Sequence, residues 1–218
     1  MARQIDEAGT VEAVGNRSDR KRRAILDAAT EVFLRHGYLG TNMDEVAALS
    51  GVSKQTIYKH FSSKEALFVE IVSSMTNAAG DTVHNDVETL DDPARLEAFL
   101  VDYAQRQLTV VLTPRIMQLR RLVIGEVGRF PELARVLYER GPKRALGMLA
   151  TLFAQLDARG LLQVDEADLA AEHFNWLVMS QALNAAMLLG DSAIPGPAAL
   201  KRQAEAGVRV FLAAYGPH

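Results

Sequence analysis

Hydrophobic residues recur along most of this chain at the three- and four-residue spacing of amphipathic helices. The first stripe consists of Ile25, Ala28, Ala29, Val32 and Phe33. No segment alternates apolar and polar residues for long enough to predict a strand, and Pro and Gly fall mostly between the periodic segments. The pattern therefore predicts an all-α protein of about nine to ten helices.

Four helices are predicted close together near the start of the chain, and each has a boundary signal. The first begins near Ser18 and ends at Gly37, a residue type common just after helix ends. Thr41 is predicted to cap the second helix and Ser53 the third. A Ser-x-x-Glu pattern that starts at Ser62 predicts the cap of the fourth.

The remaining segments are longer and less sharply bounded. We expect helices over residues 93–112, 114–127, 131–139, 141–160, 165–189 and 197–215. Residues 1–17 are polar and weakly patterned, which indicates an arm outside the core. We divide the chain into this arm, an N-terminal domain over 18–66 and a larger helical domain over 67–218.

Charge is distributed unevenly between these parts. Residues 17–64 carry nine Lys/Arg and five Asp/Glu, a net charge of +4, although the whole chain has a formal net charge of −3. A basic N-terminal part on an acidic body is expected when one end of a protein meets phosphate. A chance fluctuation remains the alternative on this feature alone.

Composition narrows the class of protein further. The chain has no cysteine, which excludes disulfides and thiolate chemistry. No apolar run reaches the length of a membrane span, and the first residues lack the apolar core of a secretory signal. We therefore expect a cytoplasmic protein that binds no membrane.

Residues 41–61 have the layout of a helix-turn-helix motif. Gly51 lies in the turn, and Val52 and Ile57 can fill the joint between the two helices. The second helix then presents its polar side chains to the major groove. The alternative is a small helical bundle with an ordinary solvated surface. The candidate DNA-binding residues are Arg22, Thr41, Lys54, Gln55, Thr56, Tyr58, Lys59, His60 and Lys64.

The ordered spacing of these positions resembles the DNA-binding domain of the TetR family. The resemblance covers residues 22–68 and is carried by Gly37 and Tyr38, by Thr41, and by the runs 51–53, 57–61 and 64–68. It implies that Thr41, Tyr58 and Lys64 contact the DNA backbone and that residues 54–56 read bases. Residues 121–134 resemble the AefR-like C-terminal domain of one branch of that family.

This resemblance implies a homodimer that binds a partly palindromic double-stranded DNA operator and a small-molecule effector. The expected function is a repressor released from DNA by a small hydrophobic ligand, without a cofactor. The alternatives are a constitutive DNA-binding regulator without a small-molecule ligand and a helical-bundle enzyme. The lack of a catalytic constellation disfavours the enzyme. The helices over 165–189 and 197–215 are expected to form the dimer interface.

Several side chains are candidates for effector or metal binding. Trp176, Met179, Leu183 and Met187 form one stripe, which can be core, interface or pocket wall. Of the adjacent Arg120 and Arg121, one can enter a cavity and hold an acidic group, although an ion pair is the more common role. No metal site is expected, because a loop pair such as His84 and Asp86 is usually only solvated. The candidate cavity-lining residues are Tyr103, Gln107, Met117, Arg121, Phe153 and Trp176.

Overall fold

A computed structural model describes residues 17–84, 90 and 92–217, and these residues form an all-α fold. Residues 1–16 of the predicted arm and His84 with Asp86 as a metal-binding pair fall outside the residues or side chains described, whereas Arg17, predicted as part of the arm, is the first residue of the first helix. The helices are α1 (Arg17–Gly40), α2 (Met43–Ser50), α3 (Lys54–His60), α4 (Lys64–His84), α5 (Leu96–Val111), α6 (Pro114–Glu126), α7 (Pro131–Tyr138), α8 (Arg144–Ala158), α9 (Ala167–Leu189) and α10 (Pro197–Tyr215). Within this part of the chain, the prediction of an all-helical protein is confirmed.

The predicted apolar stripe of α1 packs into a small N-terminal core. Ile25, Val32 and Phe33 are buried against Val46 of α2 and Ile57 of α3. Residues of α4, α6 and α7 complete this core, so the three N-terminal helices are not packed in isolation. The body of the protein therefore contributes directly to holding the N-terminal helices in place.

Two cap predictions are corrected by one residue each. Asn42, not Thr41, caps α2, because its side chain accepts a hydrogen bond from the Asp44 N–H at 2.8 Å. The Ala66 N–H donates to Ser63 Oγ at 3.0 Å, so Ser63 rather than Ser62 caps the start of α4. In both cases the observed cap residue directly follows the predicted one, and residue types of both positions are able to cap a helix.

A second core joins α5, α8, α9 and α10. Its centre is aromatic: Phe153 stacks on Phe211 with ring centroids 4.8 Å apart, and Phe174 meets both rings edge-on. The residues of the predicted stripe on α9 have different surroundings: Met179 is buried in this core, whereas Trp176 is 59% exposed. The alanines at 182 and 186 are buried within the protomer as well.

Two backbone irregularities interrupt the C-terminal helices. The predicted helix start at Gly141 is wrong: α7 continues into a π-helical turn over Glu139–Lys143, which includes Pro142 and leads into α8. Helix α9 is kinked at Ser180, which has φ 39° and ψ −139°. The Gln203 side-chain amide of α10 donates to the Met179 carbonyl beside this kink at 2.9 Å.

Helix α4 belongs to both parts of the molecule. Its first half contributes Leu67, Phe68 and Ile71 to the N-terminal core, and its second half packs against α5, α7 and the π-helical turn. None of the helices in the described residues has the length and apolar character of a membrane span.

Candidate nucleic-acid interface and adjoining cavity

Helix α3 is short and held by its cap and one buried side chain. Ser53 Oγ accepts a hydrogen bond from the Thr56 N–H at 3.1 Å and shares a second one with the Thr56 hydroxyl at 2.8 Å. Ile57 is fully buried, whereas Lys54, Gln55 and Lys59 are exposed. This two-turn helix therefore offers a polar face of the size that enters a DNA major groove.

The turn before α3 depends on Gly51. This residue adopts the left-handed conformation with φ 66° and ψ 25°, which costs glycine little and other residues more. The following N–H, that of Val52, donates to the Ala47 carbonyl at 3.2 Å. The turn between α2 and α3 therefore lies at Gly51, where the sequence predicts it.

The candidate DNA-binding residues fall into two groups according to their surroundings. Gln55, Tyr58 and Lys59 project from the exposed face of α3, with Tyr58 40% exposed. Lys54 lies on the same face and pairs with Asp44 at 3.1 Å. Thr56 and His60 are partly covered, and the Thr56 hydroxyl is bound to its helix cap. The exposed residues are the ones available to bases and phosphates.

The other three candidates are bound within the protein. Thr41 is buried, and its hydroxyl donates to the Gly37 carbonyl at 2.7 Å. Lys64 donates to the Thr41 carbonyl at 2.8 Å, and partial burial lowers the pKa of its ammonium group. Arg22 pairs with Glu70 at 2.6 Å and lies 5.2 Å from the Phe61 ring centre. These contacts join α1, the loop before α2, and α4.

Of the basic residues at the start of α1, the sequence predicts a specific DNA-binding role for Arg22 but not for Arg17, Arg20 or Lys21. Arg17, Arg20 and Lys21 line an open groove whose other wall is the turn at Ser50–Val52. All three side chains are exposed. The cluster of basic residues at 17–23 was the available signal, but only folding brings it beside the turn of the motif. The basic surface therefore extends from α3 to the start of α1.

A cavity of about 420 Å³ lies in the C-terminal body. It is bordered by α4, α5, α6, α7, α8, α9 and the π-helical turn. Its surface is mostly apolar, with contributions from Val83, Val110, Leu146, Met179 and Leu183. A volume and lining of this kind suit a small organic molecule.

The predicted cavity-lining residues are only partly in place. Gln107 and Trp176 line the cavity. Tyr103, Met117 and Phe153 do not line it, because all three side chains are buried in the hydrophobic core. In the core, burial raises the pKa of the Tyr103 hydroxyl well above its ordinary value.

The placement of Arg121 is also corrected, since this side chain turns away from the cavity. It forms an ion pair with Asp191 and donates to the Ala186 carbonyl at 2.7 Å. Hydrogen bonds from Arg121 and Gln118 hold the pKa of Asp191 below its ordinary value. The neighbouring Arg120 lines the cavity instead. Among the described residues, no group of three or more His, Asp and Glu side chains could hold a metal ion.

Comparison with known proteins gives matches to both halves of the chain. Residues 25–71 match the family model of the bacterial regulatory proteins, tetR family, and residues 98–217 match that of the AefR-like transcriptional repressor C-terminal domain. The transcriptional activator FasR of Mycolicibacterium smegmatis is 38% identical over 92 residues, which are 39% of this chain and 42% of FasR. The chain thus spans less than half the length of this curated relative.

Two solved structures match over nearly their whole length. A TetR-family transcriptional regulator from Mesorhizobium loti has 38% identity and a TM-score of 0.84, with 92% of this chain and 99% of that chain covered. The flavonoid-responsive regulator FrrA has 32% identity and a TM-score of 0.73 over the same shares of the two chains.

Proposed function

The chain belongs to the TetR family of DNA-binding transcriptional regulators, and we propose that it is a dimeric repressor released from its operator by a small, largely apolar ligand. The observation that carries this proposal is the continuity of α4. Lys64, at its start, is hydrogen-bonded to the loop before α2, and Thr76, Ala79, Gly80 and Val83 further along line the cavity. A ligand in the cavity therefore contacts the same helix that supports the DNA-binding motif.

On DNA, the exposed face of α3 enters the major groove. Gln55 reads an adenine edge, because its amide can both donate and accept hydrogen bonds. Tyr58 and Lys59 contact phosphates, as do Arg20 and Lys21 from the groove beside the turn. Lys54 reads bases only after it leaves Asp44, with which it pairs at 3.1 Å.

Arg22, Thr41 and Lys64 act mainly as supports for this surface rather than as free contacts. Their side chains already have partners within the protein, at 2.6 to 2.8 Å. Loss of Lys64 is expected to loosen the loop at Thr41 in addition to removing a positive charge. The domain boundary proposed at residues 66 and 67 falls within α4, and this helix is the connection between the two parts.

The dimer is formed by the outward faces of α9 and α10 in two copies of the chain. In the single protomer, Leu188 is 83% exposed, Leu189 is 73% exposed and Val210 is 56% exposed. Such apolar residues on two adjacent long helices favour a self-complementary interface. The named response of FrrA to flavonoids and the cavity of about 420 Å³ support the ligand-responsive role over a constitutive one.

The DNA-binding proposal is tested by selecting duplexes from a random pool and measuring affinity by fluorescence anisotropy at several salt concentrations. We expect a partly palindromic site, with affinity that falls steeply as salt rises. Lys59→Ala should reduce the salt slope by roughly one per half-site, whereas Gln55→Ala should relax one base preference and leave the slope unchanged. Arg95→Ala is the control, because Arg95 is exposed in the C-terminal body.

A protein with no preference over random duplex at physiological salt would contradict this function. The direction of regulation needs a separate measurement, since the relative FasR is named an activator. A promoter–reporter fusion in cells with and without the gene should give higher expression without it if the protein is a repressor.

A further inference from the structure

The cavity contains a guanidinium group without a protein partner among the described residues. Arg120 lines the cavity from α6, as do the apolar residues Ile116 and Leu119 of the same helix. The next residue, Arg121, is ion-paired with Asp191. No hydrogen bond or ion pair joins Arg120 to any described side chain or carbonyl. The atoms packed around it desolvate the guanidinium and lower its pKa below the ordinary value, yet an arginine stays protonated in proteins. A positive charge is therefore held in a poorly solvated place.

A second polar group in the cavity also lacks a partner. Gln107 is only 7% exposed, and its Nε2 donates to Asn175 Oδ1 at 2.9 Å, which fixes the orientation of the amide. The Gln107 Oε1 atom is then buried with no hydrogen-bond partner. Both residues line the cavity. An unpaired buried acceptor is costly, so this atom is suited to a donor supplied by a ligand.

The other charged residues around the cavity are also mostly positive. Arg140 and Arg144 line it with Arg120, and Glu172 is the acidic residue in that lining. Arg140 and Arg144 are exposed, so they lie where the cavity approaches solvent, and the Arg144 guanidinium also donates to Asn77 Oδ1 at 3.1 Å. An excess of positive charge around an apolar cavity attracts anions to it.

We propose that the effector is a hydrophobic carboxylic acid that carries a hydroxyl group, with its carboxylate bound by Arg120 and its hydroxyl donating to Gln107 Oε1. This inference rests on the proposed ligand-responsive function and defines the chemical class of the ligand. The apolar wall takes the body of the molecule, and a carboxylate can accept two parallel hydrogen bonds from the guanidinium. Neutral molecules of the same shape leave Arg120 unpaired and bind less well.

The binding test uses two hydroxy acids, para-coumarate for an aromatic body and ω-hydroxydecanoate for an aliphatic one. Each is compared with its methyl ester and with the acid that lacks the hydroxyl, and binding is followed through Trp176, which lines the cavity and is the single tryptophan of the chain. At least one acid should bind about tenfold or more tightly than its ester, because a hydrogen bond to a charged group is worth more than one to a neutral group. The acid that binds identifies the shape of the body.

Variants then assign the two contacts. Arg120→Gln should remove the preference for acid over ester, and Gln107→Leu should remove the preference for the hydroxylated acid. Arg115→Gln is the matched control, because Arg115 lies on the same helix and is exposed outside this cavity. If the esters bind as well as the acids, or if Arg120→Gln keeps the preference, the proposed class is wrong.

A ligand-free measurement separates this inference from the proposed function. Arg120→Met should raise the Tm of the free protein by about two to four degrees, because it removes an uncompensated charge, while Arg115→Met should leave the Tm unchanged. A Tm for Arg120→Met that is no higher than that of the original protein would contradict an uncompensated charge at Arg120 and would overturn the inference. If neutral apolar compounds release DNA while both acids fail, the repressor proposal stands and the acid class is refuted. If neither acids nor neutral compounds that bind the cavity change DNA affinity, the ligand-responsive function itself fails.

Discussion

Gly207 allows α9 and α10 to approach more closely than any residue with a side chain would permit. A Cβ atom at this position would lie 3.1 Å from the Leu177 carbonyl oxygen, 3.2 Å from its carbon and 3.3 Å from the Val178 nitrogen. All three are backbone atoms, which cannot move aside as the end of a flexible side chain can. Gly207→Ala must therefore separate the two helices by a few tenths of an ångström or strain them.

The magnitude of this effect follows from two opposing contributions. Replacing glycine by alanine inside a helix favours the folded state by about 1 kcal/mol. Overpacking a buried contact costs roughly 1–3 kcal/mol. We expect Gly207→Ala to be between neutral and about 2 kcal/mol less stable than the original protein, which corresponds to a Tm lower by up to roughly 4–8 °C for a chain of this size.

Gly147 provides the matched control, since it lies in α8, is exposed and has no atom within 4 Å of an added Cβ. Gly147→Ala should stabilise the protein by up to about 1 kcal/mol. The difference between the two variants, measured by urea unfolding at a fixed protein concentration, isolates the packing cost at Gly207. Equal unfolding free energies for the two variants would refute the close contact between α9 and α10.

Three further predictions concern the kink, the proposed interface and the loop after α9. Ser180→Gly should raise the free energy of unfolding by about 1 kcal/mol, because glycine adopts positive φ without steric cost; a loss of stability in thermal unfolding would contradict this. Val210→Glu should convert the proposed dimer to monomers that bind a half-site weakly, as measured by analytical ultracentrifugation and anisotropy, whereas an unchanged sedimentation coefficient would exclude this face. Hydrogen bonds lower the pKa of Asp191, so its contribution to stability is present at neutral pH and is lost as the pH falls below its ordinary pKa of 3.8. Asp191→Asn should therefore lose less stability than the original protein between about pH 5 and pH 3, in urea unfolding as a function of pH.

The DNA-binding motif could be predicted from the sequence because its signals are local. The α1 stripe from Ile25 to Phe33, the glycine of the turn at 51 and the cap at Ser53 each depend on neighbouring residues. The cap errors in this region are shifts of one residue, as between Thr41 and Asn42, where both side chains are able to cap a helix. The predicted end of α1 is three residues early, because Gly37 leaves the helical conformation with φ 72° and ψ 176° but the helix continues to Gly40.

The cavity could not be predicted in the same way because it depends on which side of each helix faces inward. Arg120 and Arg121 are adjacent, and successive residues of a helix differ by about 100° in direction, so the apolar pattern around them does not decide which one enters the cavity. Tyr103 and Phe153 are residue types that often line ligand pockets, but here both side chains pack in the aromatic core. Periodicity identifies a buried face and does not distinguish a filled core from an open cavity.

In the proposed mechanism, a ligand acts on DNA binding through α4 by pairing the unpaired groups in the cavity. From Lys64 to Thr76 the helix rises by roughly 18 Å, so one continuous helix contacts the loop at Thr41 through Lys64 and the cavity through Thr76. A ligand shifts an equilibrium only by the difference in its affinity for the two states. We propose that pairing Arg120 and Gln107 stabilises the cavity arrangement in which both reach the ligand, and that α4 adopts the position that this arrangement requires. If that position separates the two α3 helices of a dimer from the spacing of successive major grooves, about 34 Å, the operator is released. By reciprocity, operator DNA must weaken binding of the acid by the same factor by which the acid weakens binding of the operator.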